Sequence, residues 1–241
     1  MKLKFKNANG KLKKMAQQLG VKLKTFTLPA GYTCPGAKDC LAFADRKTGK
    51  IKDGSETEFR CFMASLEATF PSLREMVWDN LTSIRSALKN GVDACADLIC
   101  ESLPKKFDVM RVHVGGDYFS REYLMAWIEV AKRNPDKVFY SYSKSLHFMA
   151  EFALPENLVL TASRGGKHDN LIANKYAHKF EGKRGALIPA LADKLAARRL
   201  RHCVSKPYVR QLSVQNLDHV HSIGTISAEK PDSDYRNRET L

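Results

Sequence analysis

The chain has 241 residues, 44% of them hydrophobic, with 40 Lys and Arg against 26 Asp and Glu, a net charge of +14. That length suits one large α/β domain with a real core. The absence of any run of about 18 apolar residues argues against a membrane span, and the cationic surplus makes a polyanion, nucleic acid above all, the first partner to expect.

Residues 1–24 carry eight lysines (positions 2, 4, 6, 11, 13, 14, 22 and 24). They read as a basic arm with one short amphipathic helix. The segment lacks the apolar stretch of a secretory signal, so a cytoplasmic location is expected, and there six cysteines are core residues or ligands, not disulfides. "KTFTLPA" (24–30) reads as a strand ending at Pro29, followed by a cysteine-bearing loop over 31–57. A helix is predicted at about 58–69. A second spans 71–91, with Pro71 in its first turn and Gly91 as its stop, and a third covers about 92–103.

A regular alternation follows. "DVMRVHVGG" (108–116) is a strand, and the next helix starts after Ser120 as N-cap with Glu122 in its first turn. "KVFYSYSKS" (137–145) is a strand with a short helix at 146–153. "NLVLTASRGG" (157–166) is another, with a helix from Asp169 to about His178. Strands alternating with helices imply parallel βαβ units, here expected to close into a (β/α) barrel or a partial, TIM-like one over a single domain at 25–228. "IPALADKLAARRLRHC" reads as a basic helix, and residues 229–241 as a flexible tail.

Parallel α/β folds gather their chemistry where strands end. The three clear strands end in Gly115, Gly116 and Asp117; in Ser143, Lys144 and Ser145; and in Ser163, Arg164, Gly165 and Gly166. Adjacent strands would bring Asp117, Lys144 and Arg164 to one crevice, with Gly115, Gly116, Ser143 and His147 lining a substrate pocket. Asp117 as a helix cap is the competing reading, weakened by Ser120. His113, inside a strand, reads as a hydrogen-bonded core residue. Lys183, Arg184, Arg198, Arg199 and Arg201 are candidate phosphate contacts.

Cys95 and Cys100 fall in a helical apolar pattern and read as core thiols. Cys34 and Cys40 follow the first strand, and Cys61 follows the same loop. With Cys203, or His202 beside it, as fourth ligand, they would suit a tetrahedral zinc or an iron–sulphur cluster. The residues do not choose between the two.

"TLPAGYTCPGAKDC" and "RVHVGGDYFSREYLMAWIEVAKRNPDKVFYSYSKS" together resemble a phage gene-product family of mycobacteriophage type, over about residues 25–170. They are also similar to phage proteins with a radical-SAM-like barrel, although the C-X3-C-X2-C triplet of radical SAM enzymes is absent. Some barrel-type phage proteins resemble the queuosine tRNA-guanine transglycosylases and place 7-deazaguanines in phage DNA. That resemblance implies a DNA guanine transglycosylase in the host cytoplasm, taking DNA and a modified purine base as partners. Asp117 would attack the sugar C1′ as guanine leaves, and the basic surface would hold DNA with its target base out of the stack. An iron–sulphur redox enzyme and a non-enzymatic nucleic-acid-binding phage protein are the alternatives.

Overall fold

A computed structural model describes residues 2–175. They lie within one compact unit, residues 1–181; a second unit, 182–241, falls outside the described residues.

Fourteen elements follow in chain order among the described residues. They are β1 (Lys6–Asn7), α1 (Gly10–Gln18), β2 (Leu23–Thr25), β3 (Ala42–Ala44), β4 (Ile51–Asp53), α2 (Phe62–Thr69), α3 (Pro71–Leu88), α4 (Val92–Ser102), β5 (Val109–Arg111), α5 (Arg121–Arg133), β6 (Val138–Ser143), α6 (Leu146–Met149), β7 (Leu158–Ala162) and α7 (Asn170–Lys175). One sheet has the order β1-β2-β5-β6-β7. Strands β2, β5, β6 and β7 are all parallel, with Val109 opposite Val138 and Phe139 opposite Leu158, while β1 joins antiparallel at the edge.

The parallel βαβ units expected from the sequence are present. A closed barrel is not: among the described residues β1 and β7 pair on one side only, leaving an open sheet. Two further expectations change. The segment 31–57 is not all loop, because β3 and β4 pair antiparallel as a hairpin. Its turn is set by Asp45, whose Oδ1 accepts from the Lys47 and Thr48 amides at 3.0 and 2.7 Å, and by Gly49 at φ +74°. Nor do residues 1–24 hang as an arm. Leu3 is buried, its amide donates to Ser102 Oγ at 3.0 Å, and Asn80 brackets the Lys4 backbone, accepting from its amide and donating to its carbonyl.

Helix α5 shows how local chemistry and packing agree. Ser120 Oγ accepts from the Tyr123 amide at 3.2 Å, Glu122 opens the helix and Lys132 and Arg133 close it. Its other face sends Tyr123, Leu124, Trp127, Ile128 and Ala131 into the core. There they meet Phe26, Met110 and Phe139 from the sheet side and Ile84 and Ile99 from α3 and α4. Cys95 is buried in α4, as expected, and Cys100 is half-buried, accepting from Asn134 Nδ2 at 3.5 Å. Fully burying a Leu, Ile, Phe or Met side chain of this core contributes roughly 1.5–3 kcal/mol. A smaller cluster of Ala30, Ala42, Met63, Ala64, Met76 and Val77 fixes the hairpin and α2 to α3.

Candidate functional site

The carboxyl edge of the sheet is roofed by the cysteine loop. Gly36 lies so close over β6 that a Cβ there would drive into the Lys144 carbonyl oxygen. Gly116, at φ +78°, would likewise meet Thr33 Oγ1 and Leu28. The roof then reaches the end of β7. The amides of Lys38 and Asp39 donate to the Gly165 carbonyl at 3.3 and 3.1 Å, and that of Lys167 donates to the Gly36 carbonyl at 2.9 Å. Strands β2 and β7 stand apart in the sheet, with β5 and β6 between them, yet their loops are stitched together across its end.

Asp117 lies beneath this roof, 4% exposed. One carboxylate oxygen accepts from Ser143 Oγ at 2.6 Å and from the Tyr118 amide at 2.7 Å, the other from the Lys144 amide at 2.8 Å. Burial raises its pKa from 3.8 to about 6, and those three donors oppose the rise. The helix-capping reading fails, since Ser120 caps α5.

Lys144 spans two strand ends. Its Nζ donates to Ser163 Oγ at 3.1 Å and to the Arg164 carbonyl oxygen. The structure thus brings Asp117, Ser143 and Lys144 together and ties Lys144 to the backbone of Arg164, whose side chain is exposed. Gly115 lies under Met63 of α2, where a Cβ would collide with that side chain. His147 pairs instead with His168, ring centroids 4.3 Å apart, and its pKa is lowered by burial and then by the neighbouring imidazole.

Cys34, Cys40 and Cys61 converge on the same edge. Burial is the largest cause that raises the pKa of Cys34 and of Cys40; charge on Cys61 and Cys40 adds to it for Cys34, and charge on Cys61 for Cys40. Cys34 also senses Asp117, and Lys144 pulls Cys40 the opposite way. Thiolates are soft ligands for a thiophilic cation, and these three would have to draw together to hold one. Among the described residues no three His, Cys, Asp or Glu side chains stand in a metal-holding arrangement. Cys203 and His202, with Lys183, Arg184, Arg198, Arg199 and Arg201, lie outside the described residues.

His113 is the core residue expected of it, with one unexpected property. Its Nε2 lies 3.0 Å from Tyr123 Oη, burial lowers its pKa to about 3, and its backbone sits at φ +65°. A non-glycine residue in that region is strained. Sequence reasoning also passed over Glu67, fully buried in α2, whose Oε1 accepts from the Ala30 amide at 2.8 Å while its Oε2 has no partner. Burial raises its pKa from 4.5 to about 7. Its place on the apolar side of α2, between Met63 and Ala64 and the next turn, was the available signal.

This is an α/β protein whose polar and thiol groups meet at the carboxyl edge of an open, mostly parallel sheet. It belongs to the Gene product 88 family, a phage gene-product family whose model matches residues 1–219. It is similar to the Gene 88 protein of Mycobacterium phage L5, 28% identical over 123 residues, which cover 47% of this chain and 44% of that protein. The chain thus matches less than half the length of that curated relative. Neither name mentions a transglycosylase or a radical SAM enzyme. No solved structure matches the chain. Among the described residues no helix is long and apolar enough to cross a membrane.

Proposed function

We propose that this chain is a nucleic-acid-modifying phage enzyme whose reaction centre is the thiol-lined sheet edge. One observation carries the reading: the loop that bears Cys34 and Cys40 packs over the Asp117 and Lys144 edge, with Cys61 in electrostatic reach of both thiols. Cys34, Cys40 and Cys61 would hold a zinc ion or an iron–sulphur cluster, completed by Cys203 or His202. Zinc would supply a Lewis acid and a cluster would supply electron transfer. Asp117 positions the edge by holding Ser143 and Lys144, and the net charge of +14 draws the polyanionic substrate.

Exchange of guanine for a 7-deazaguanine with Asp117 as nucleophile makes a different demand. The carboxylate would have to shed its donors and emerge from under the roof before reaching a sugar C1′. Its burial favours the thiol centre over that reading.

The test is anaerobic purification of the untagged full chain, with metal analysis, a visible spectrum and mass spectrometry of nucleosides from exposed DNA. Stoichiometric zinc or iron, lost in Cys34→Ser/Cys40→Ser, and an altered nucleoside are expected. Metal retained in that double variant overturns the centre, and unaltered nucleosides in DNA and RNA alike overturn the activity. A 7-deazaguanine nucleoside that vanishes in Asp117→Asn while the metal stays would reinstate base exchange.

A further inference from the structure

Residues 1–38 hold nine lysines and no Asp, Glu or Arg, whereas residues 39–175 hold 19 Lys and Arg against 19 Asp and Glu. The positive surplus of the described residues therefore sits wholly in this first segment. The fold holds the segment in place. Leu3 is buried, β1 pairs with β2, and Asn9 caps α1 by accepting from the Leu12 amide. Along α1, Ala16 is buried and Leu12 and Met15 are half-buried, while Lys13, Lys14, Gln17 and Gln18 are exposed. Lys6, on the edge strand before the cap, is exposed as well.

Acids reach the segment at three places. Lys4 pairs with Asp79 at 2.8 Å beside Glu75, the Lys22 amide donates to Asp108 at 2.7 Å, and Lys38 lies 3.6 Å from Glu56. Among the described residues no acid pairs with Lys6, Lys13 or Lys14. Nor does helix stability account for these lysines. The amino-terminal turn of a helix is the positive end of its dipole and favours acids, yet α1 has none there and places lysines at 11, 13 and 14.

We infer that α1, with the edge strand before it, is a docking face for the phosphate backbone of duplex nucleic acid, contacted by Lys6, Lys13 and Lys14. A duplex presents about one negative charge per 1.7 Å of its axis, and unpaired lysines neutralise such charges while releasing counterions. A single strand is held through bases stacked on aromatic rings, and among the described residues no large hydrophobic side chain before Tyr32 is exposed. The same lack argues against a lipid surface, which a helix enters by an apolar face. A second copy of the chain would bring like charge to the face. Asn7 lies opposite Lys24 and α1 leads back to Leu23, so the face stands at the amino end of β2, away from Asp117 at the carboxyl edge. The inference rests on the nucleic-acid reading above and adds the docking surface and the strand state of the substrate.

The test is fluorescence anisotropy of the full chain with a labelled duplex of about 20 base pairs and with its single strand, across a salt series. The duplex is expected to bind tighter. Lys6→Gln/Lys13→Gln/Lys14→Gln should weaken duplex binding and lower the salt slope by roughly 2.7, about 0.9 for each phosphate no longer neutralised. Its thermal midpoint should be no lower than wild type. Lys47→Gln/Lys50→Gln/Lys52→Gln removes equal charge from the β3–β4 hairpin and should leave the slope near wild type. An unchanged slope in the first variant overturns the inference. So does an equal loss in the second, which would make net charge and not this face the cause. Tighter binding to the single strand overturns it too, as does a wild type that binds phosphatidylserine vesicles but no duplex. Because metal content and nucleoside composition are read separately, failure of the face leaves the proposed centre standing.

Discussion

Asp117 and Ser143, 26 residues apart, meet at 2.6 Å between carboxylate and hydroxyl and lock the end of β5 to the end of β6. The Lys144 amide on the other carboxylate oxygen makes the clasp two-sided. Ser143→Ala leaves a buried carboxylate short of one donor, which costs roughly 1–3 kcal/mol. Asp117→Asn costs at least as much, because its amide N–H groups would face donors. Urea unfolding should place both variants below wild type, with Asp117→Asn the lower. If Asp117→Asn is as stable as wild type, the clasp does not hold the edge.

Two buried carboxyls and a buried imidazole act in opposite directions on the pH dependence of stability. Asp117 rises from 3.8 to about 6 and Glu67 from 4.5 to about 7. Both hold their protons more tightly folded than unfolded, so the stability they contribute is full below about pH 4 and is lost as pH rises to about 7. His113, lowered from 6.5 to about 3, opposes them by adding stability as pH rises over about 3 to 6.5. Wild type should therefore lose urea midpoint relative to Glu67→Gln as pH rises from 4 to 8, whatever that variant's absolute stability. An unaltered profile in that variant would remove Glu67 from the account.

Gly36 and Gly10 make a paired test of the roof. An alanine at 36 would collide with the Lys144 backbone, which has no freedom to yield, whereas at 10 a Cβ meets nothing within 4 Å. Gly36→Ala should cost roughly 1–3 kcal/mol or more and speed hydrogen exchange at the Tyr118 and Lys144 amides that it exposes. Gly10→Ala, in the first turn of α1, should be neutral or stabilising by up to about 1 kcal/mol. Equal effects from the two would show that the loop does not press on β6.

Arg74 is buried against backbone. Its Nη1 donates to the Glu67 carbonyl at 2.6 Å and its Nε to the Arg46 carbonyl at 3.1 Å, pinning the β3–β4 turn to the end of α2. Arg74→Lys, with one ammonium in place of a planar fork, should lose about 2 kcal/mol and release the hairpin to faster proteolysis at Arg46 or Lys47. Cleavage at the wild-type rate would mean that the hairpin is held by its apolar cluster alone.

Helix α5 was legible from its residues because everything that starts and stops it is local: the Ser120 cap, Glu122 in the first turn, the basic end and the apolar stripe between them. The β5, β6 and β7 strands were legible for the same reason, as was the gathering of Asp117 and Lys144, since parallel strands must end on one edge. The β3–β4 hairpin carried a local signal too, Asp45 and Gly49 flanking its turn, but its strands, AFA and IKD, lack the valine-rich apolar run that marks β5. Closure of the sheet was not decided by any such signal. That depends on whether the outermost strands find each other's hydrogen bonds, and among the described residues β1 joins antiparallel and leaves the sheet open. The roof was beyond local reading for a related reason. Its bonds join residues 36–39 to 165–167, and chain 130 residues distant exerts no influence until the sheet has folded and set the two loops side by side. Only then is Asp117, a polar residue at a strand end, sealed from water and its proton affinity raised.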